Sequence, residues 1–148
     1  MRFSNAQISL KEIPDEISLS LSISGCKVFC KDCHSKETWD SNFGEELTID
    51  SLQNLLNKNK HISCVLFYGG EWDEHFPKFL EYIKEQQLKT ALYSGLDFTI
   101  NNLVKYLDYY KIGPYIEKYG SIDKPTTNQI LYKKIDNSLI NITHKLQG

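Results

Sequence analysis

Three of the four cysteines lie within eight residues, in the segment Cys26-Lys-Val-Phe-Cys30-Lys-Asp-Cys33-His34. Three thiolates at C-x3-C-x2-C spacing can face one iron–sulfur cluster from a single loop, cysteine sulfur being the usual ligand of such clusters. A cluster that only carries electrons takes four cysteines. Three leave one iron open to a small molecule. The same residues allow a second reading, a Cys3His zinc site completed by His34. Zinc ligands usually come in two separated pairs, however, and His34 is the direct neighbour of Cys33. Cys64 stands apart in the apolar run His61–Tyr68, where a buried cysteine behaves as a small hydrophobe. Disulfide scaffolds spread their cysteines, whereas these cluster, which points to metal ligation or redox work in a reducing compartment.

Such a loop needs a frame, and the chain supplies alternating strand and helix signals. Ile17, Leu19, Leu21 and Ile23 alternate with serines, the period of a half-buried strand, and run directly into Gly25 and Cys26. Arg2 to Ile13 offers an earlier strand. Thr48 is placed to cap a helix carrying Ile49, Leu52, Leu55 and Leu56. His61–Tyr68 is a buried strand closed by Gly69-Gly70. Phe76, Phe79, Leu80 and Ile83 mark a second helix, and Thr90–Tyr93 a strand closed by Ser94-Gly95. Ile100, Leu103, Val104 and Leu107 mark a third helix, and Tyr109–Ile112 a strand before Gly113-Pro114. Gln129–His144 forms a hairpin turning at Asp136-Asn137-Ser138. Strand followed by helix, repeated, predicts an α/β fold with a largely parallel sheet in a single domain over residues 1–148. Ligands gather beyond the carboxyl ends of such strands. The loops there are Gly25–His34, Gly69–Glu71 and Ser94–Gly95, all with glycines that let backbone approach a ligand.

Composition narrows the function. The 148 residues are 41% hydrophobic and 24% charged, enough apolar content for one core. A closed eight-stranded barrel needs about 250 residues and is excluded. The net charge of −2 provides no basic surplus for phosphates, so nucleic acid is not an expected partner, and the run of tyrosines from Tyr106 to Tyr119 belongs to packing or a protein interface. No apolar run approaches the roughly 18 residues of a membrane span, and the opening MRFSNAQ is polar. The expectation is a soluble, cytoplasmic protein.

The triad after a first strand, with a glycine pair and glutamate after a later one, resembles the radical S-adenosylmethionine superfamily. Within it the chain resembles the activating proteins of anaerobic ribonucleoside-triphosphate reductase. The closer match rests on Ser24-Gly25-Cys26, Cys33-His34-Ser35, Thr38-Trp39, Tyr68-Gly69-Gly70-Glu71 and Tyr93-Ser94-Gly95. It continues through Lys111-Ile112-Gly113-Pro114-Tyr115 and Pro125-Thr126-Thr127-Asn128-Gln129. One departure from the broad superfamily is Asp32, where an aromatic residue is common; the subgroup tolerates a polar residue there with a ring just after, which His34 supplies.

The resemblance implies an open, partial (β/α) barrel and a 4Fe-4S cluster on Cys26, Cys30 and Cys33. It implies S-adenosylmethionine contacts at Asp32, Cys33, His34, Gly69, Gly70, Glu71, Ser94, Gly95 and Asn128, with Glu71 accepting from the ammonium. For Ser94-Gly95 a plain strand cap and a ribose-side contact stand as equal readings, and Asn128 and Gln129 line either the site or a docking surface. The implied activity is reductive cleavage of S-adenosylmethionine to form a glycyl radical on anaerobic ribonucleotide reductase, with an external one-electron donor such as a flavodoxin. Two alternatives stand beside it. One is another small radical enzyme with a different glycyl-radical partner or a small-molecule substrate. The other is a non-enzymatic zinc-binding interaction module.

Overall fold

A computed structural model describes residues 1–26 and 39–147. The strands are β1 (Arg2–Ser9), β2 (Ser18–Ile23), β3 (Glu45–Glu46), β4 (Cys64–Tyr68), β5 (Lys89–Tyr93), β6 (Tyr109–Ile112), β7 (Ile130–Ile135) and β8 (Ser138–Asn141). The helices are α1 (Ile49–Lys58), α2 (Phe76–Glu85) and the single turn α3 (Asn101–Val104), with a 3-10 turn over Thr143–Leu146. All eight strands join one unclosed sheet in the order β3-β1-β2-β4-β5-β6-β7-β8.

The sheet is mixed, which corrects the expectation of a largely parallel one. β2, β4, β5 and β6 pair in parallel, while β1 pairs with β2 and β3, and β7 with β6 and β8, antiparallel. The connections decide this. A parallel partner needs a long crossover, and the crossovers of the centre carry α1, α2 and α3. The last hairpin turns on Asp136 and Asn137 alone, at φ 51° and 67°, the positive pair that a two-residue type I′ turn requires.

The helices cover one face of the sheet. Leu19, Leu21, Ile23, Val65, Phe67, Leu92, Tyr110 and Ile112 meet Leu52 of α1 and Phe76, Phe79, Leu80 and Ile83 of α2 in one core. Phe67 and Phe76 pack edge to face at 5.1 Å. The amphipathic spacing read from the sequence is thus the packing face, and Thr48 caps α1 by accepting from Ser51 N at 3.0 Å and donating its own N–H to Ser51 Oγ at 2.8 Å.

The opposite face holds a smaller cluster of Ile13, Cys64, Leu66, Ala91, Tyr109, Ile122, Leu131 and Ile142. Coverage from this side buries Ser18 and Ser20, so β2 is covered on both faces rather than half-buried. Ser20 remains satisfied by donating to Ser9 Oγ at 2.7 Å.

α3 is shorter than the apolar spacing to Leu107 predicts. Ile100 provides no side-chain cap, and the carbonyls past α3 turn to other donors. Val104 O and Lys105 O accept from Lys134 Nζ, and Tyr106 O accepts from Thr90 Oγ1. No helix among the described residues is long and apolar enough to cross a membrane.

Candidate functional site

The register of the parallel strands brings the candidate loops to one edge. Ser22 lies opposite Tyr68, Tyr68 opposite Tyr93, and Tyr93 opposite Lys111, so β2, β4, β5 and β6 end side by side. Ser24-Gly25-Cys26, Gly69-Gly70-Glu71, Ser94-Gly95 and Gly113-Pro114 all emerge there. β7 runs the other way and starts opposite Ile112, which places Asn128 and Gln129 at the same edge. Cys26 is half-buried in this row. Cys30, Asp32, Cys33 and His34 lie outside the described residues.

Trp72 ties two of these loops together. Its indole lies against both Gly25 and Gly69: a Cβ at Gly25 would sit 3.0 Å from Trp72 Nε1, and one at Gly69 only 2.4 Å from Trp72 Cη2. Packing against Trp72 therefore already demands glycine at position 69, where φ is also +84°. The sequence suggests close approach to a ligand as the reason for this glycine; the immediate neighbour is a tryptophan. Gly69→Ala is expected to lower stability by about 2 kcal/mol or more, combining left-handed strain with overpacking. Urea unfolding checks this, and a smaller loss in a Gly69→Ala, Trp72→Leu double variant isolates the ring contact.

Glu71 is held by Ser94, whose hydroxyl donates to Glu71 Oε1 at 2.8 Å and accepts from Leu96 N at 3.1 Å. The single Ser94 proton is thereby committed to Glu71. Of the two readings of Ser94, the geometry adds a third task, orienting a carboxylate. Glu71 Oε2 is buried with no hydrogen-bond partner among the described residues. Burial pushes the Glu71 carboxyl above its ordinary value, only partly offset by its own backbone N–H and by Ser94. Asn128 Oδ1 is a second buried acceptor with no donor among the described residues, while Asn128 Nδ2 donates to Pro114 O at 3.0 Å. A sealed, unsatisfied acceptor costs about 1–3 kcal/mol. Two of them beside one row of loops fit a ligand that brings N–H or O–H groups.

The rim continues between these residues. Gly69 N donates to Tyr93 O at 3.0 Å, Ser94 N to Lys111 O at 2.9 Å and Gly113 N to Leu96 O at 2.6 Å, linking the ends of β4, β5 and β6. On the helix-free face just below, Tyr68 and Tyr93 meet edge to face at 5.5 Å, and Lys111 Nζ lies 4.1 Å from the centre of the Tyr93 ring. Sequence reasoning identified the loops but not the cross-links. Trp72 at three positions beyond Gly69 was the available signal for the first, whereas nothing in the sequence pairs Ser94 with Glu71.

Cys64 is at the other end of the sheet. It opens β4 opposite Ser18, the first residue of β2, and β2 separates that row from Cys26 by about 17 Å at the usual strand rise. The residue is fully buried, and burial pushes its thiol up to about 12, against thiolate formation.

Fold and site define an α/β domain that presents a cysteine and a half-buried acid at the carboxyl edge of a parallel strand set. A family model described as a 4Fe-4S single cluster domain matches residues 17–131, from the entry to β2 into β7, and the chain belongs to that family. No curated protein matches the chain. Membership supports iron–sulfur binding and is compatible with redox chemistry. Cys26, half-buried at this edge, has the chemistry of a ligand to such a group.

Proposed function

We propose that this protein is a radical S-adenosylmethionine enzyme that activates anaerobic ribonucleotide reductase by forming a glycyl radical on it. The observation that carries this reading is Glu71. Its carboxylate has one oxygen fixed by Ser94 and the other buried with no donor among the described residues, at the strand edge that also delivers Cys26. An ammonium is the group best matched to that oxygen, by charge and by its surplus of protons.

Cys26, Cys30 and Cys33 would hold the 4Fe-4S cluster, leaving one iron for the amino acid end of S-adenosylmethionine. Bound there, the cluster would pass one electron from the external donor to the sulfonium, cleaving S-adenosylmethionine to methionine and a 5′-deoxyadenosyl radical that would take a hydrogen atom from a glycine of the reductase. The chain's own residues bind and orient. Glu71 anchors the ammonium, the 69–70 backbone lines the amino acid end, and Asn128 offers an acceptor on the far side of the row. Asp32, His34 and Gly95 complete the proposed contacts.

The unclosed sheet supports a macromolecular substrate, because a glycine-bearing loop must reach the site. A flavodoxin-type protein is the proposed electron donor, in the cytoplasm.

Anaerobic reconstitution with iron and sulfide, followed by electron paramagnetic resonance of the reduced protein, tests the reading. The expected result is a cluster signal that changes on adding S-adenosylmethionine, and a glycyl radical when the reductase is present. A cluster signal indifferent to S-adenosylmethionine would reduce the protein to an electron carrier, and stoichiometric zinc without iron would make it a binding module. A radical formed with another partner but not the reductase would move it to a different radical enzyme.

A further inference from the structure

We infer that Gln129 is a positioning residue that acts on the ligand through Asn128, making that corner of the site accept hydrogen-bond donors only. The inference rests on the S-adenosylmethionine reading above. Two neighbouring side-chain amides clamp two neighbouring carbonyls: Gln129 Nε2 donates to Gly113 O at 3.1 Å, and Asn128 Nδ2 donates to Pro114 O at 3.0 Å. A carbonyl oxygen has no proton to give, so the amide atom facing it must in each case be the nitrogen. That fixes the flip of Asn128, and the atom left over is Oδ1, buried and with no donor among the described residues.

The clamp is built to be close. Gln129 is 6% exposed, and its N–H is held by Thr127 Oγ1 at 3.0 Å. Gly113 has φ +108°, and a Cβ there would come within 3.0 Å of Gln129 Cα and 3.3 Å of Asn128 O. Only a glycine lets the two dipeptides lie this near. If Gln129 releases Gly113, the 113–114 segment keeps the Gly113 N–H to Leu96 O at 2.6 Å but loses its tie on the β7 side other than Asn128 itself, so the Pro114 carbonyl that orients Asn128 is held less firmly. The amide can then turn its nitrogen toward the ligand, presenting a donor where an acceptor is needed.

The test is a double-mutant cycle on binding, because two residues that act as one unit give non-additive losses. S-adenosylmethionine binding to cluster-loaded protein without reductant is measured by calorimetry for the unaltered protein, Gln129→Leu, Asn128→Ala and the double variant, with iron content and thermal unfolding followed alongside. Each single change is expected to weaken binding about tenfold, the loss of roughly one hydrogen bond. The double variant is expected to bind no worse than Asn128→Ala.

Losses that multiply toward about 100-fold would mean Gln129 works independently of Asn128 and would overturn the inference. Normal binding by Gln129→Leu would overturn it too. If Gln129→Leu does not fold, Gln129→Met completes the same cycle. No binding by unaltered, cluster-loaded protein would instead overturn the S-adenosylmethionine reading, and this inference with it.

Discussion

Cys30→Ala and Cys26→Ala are each expected to abolish the iron–sulfur absorbance of anaerobically reconstituted protein, while Cys64→Ala keeps it. The physical basis is ligand number and place. With three thiolates proposed for the cluster, losing one leaves two. Even deleting the outer hydrogen-bond partner of a metal ligand costs about 10–100-fold, and removing the ligand itself exceeds that. Cys64 is the control because it has the same chemistry in the wrong position, at the start of β4, buried, with its thiol pushed up to about 12. Absorbance and iron per chain are the readouts, and a normal thermal transition in the iron-free variants shows that the domain still folds. Retained iron in Cys30→Ala, or its loss in Cys64→Ala, would reverse the ligand assignment.

Glu16→Gln is expected to cost about 3 kcal/mol of stability, a fall of about 6–12 °C in Tm, without affecting the site. Glu16 is buried at the edge of the sheet opposite Cys26. It accepts from Ser63 Oγ at 2.7 Å and Tyr109 Oη at 2.8 Å, and pairs with Lys89 Nζ at 3.1 Å. Burial alone would raise its carboxyl, but the hydrogen bonds from Ser63, Tyr109 and Lys89 together outweigh burial and hold it below its ordinary value of 4.5. The sign follows. Because the folded state binds the proton less readily than the unfolded chain, this stability is fully present above the ordinary value. It is lost as pH falls through the lower, folded value. Urea midpoints of chelator-treated protein at pH 7, 5 and 3 should therefore fall less steeply toward acid in Glu16→Gln than in the unaltered chain. Parallel curves would show that Glu16 is not the acid-sensitive group.

Two glutamates, Glu16 buried and Glu71 half-buried, mark the two ends of the molecule by opposite shifts. Glu16 is lowered because hydrogen bonds from Ser63, Tyr109 and Lys89 outweigh its burial, whereas Glu71 is raised because burial outweighs its own backbone N–H and Ser94. A sequence prints the same letter for both. Glu71 was singled out because it follows a glycine pair at the end of a buried strand. Glu16 carries no such mark, since its partners Ser63, Lys89 and Tyr109 are scattered along the chain and meet only through the sheet.

The same distinction governs how much of the fold was legible. α1, α2, β2 and β5 announce themselves by local period and local start or stop signals: Thr48, Phe76 to Ile83, Gly25, Ser94-Gly95. Properties set by distant neighbours did not. Apolar spacing through Leu107 could not reveal that Lys134 and Thr90 take over the carbonyls beyond α3. The serines of β2 look solvent-facing in sequence, yet Ser18 and Ser20 are buried because other segments cover them. At the site, the loops were legible from glycines after strands, while the clamp of Asn128 and Gln129 on Gly113 and Pro114 exists only once β6 and β7 are paired.

The mixed sheet gives the folding reaction an order. Its flanks are hairpins, and β7–β8, closed by Asp136 and Asn137, can form within about 1–10 μs. Its centre cannot: joining β2 to β4 brings together groups 46 residues apart, as in the contact of Ile17 N with Ser63 Oγ. That loop entropy must be overcome before the parallel ladder and its helix-covered core return anything. The slow step of refolding is then the assembly of β2, β4, β5 and β6, the strands whose ends carry Cys26, Glu71 and Ser94. The flanking hairpins can form early, but the binding edge exists only after the last and least local step.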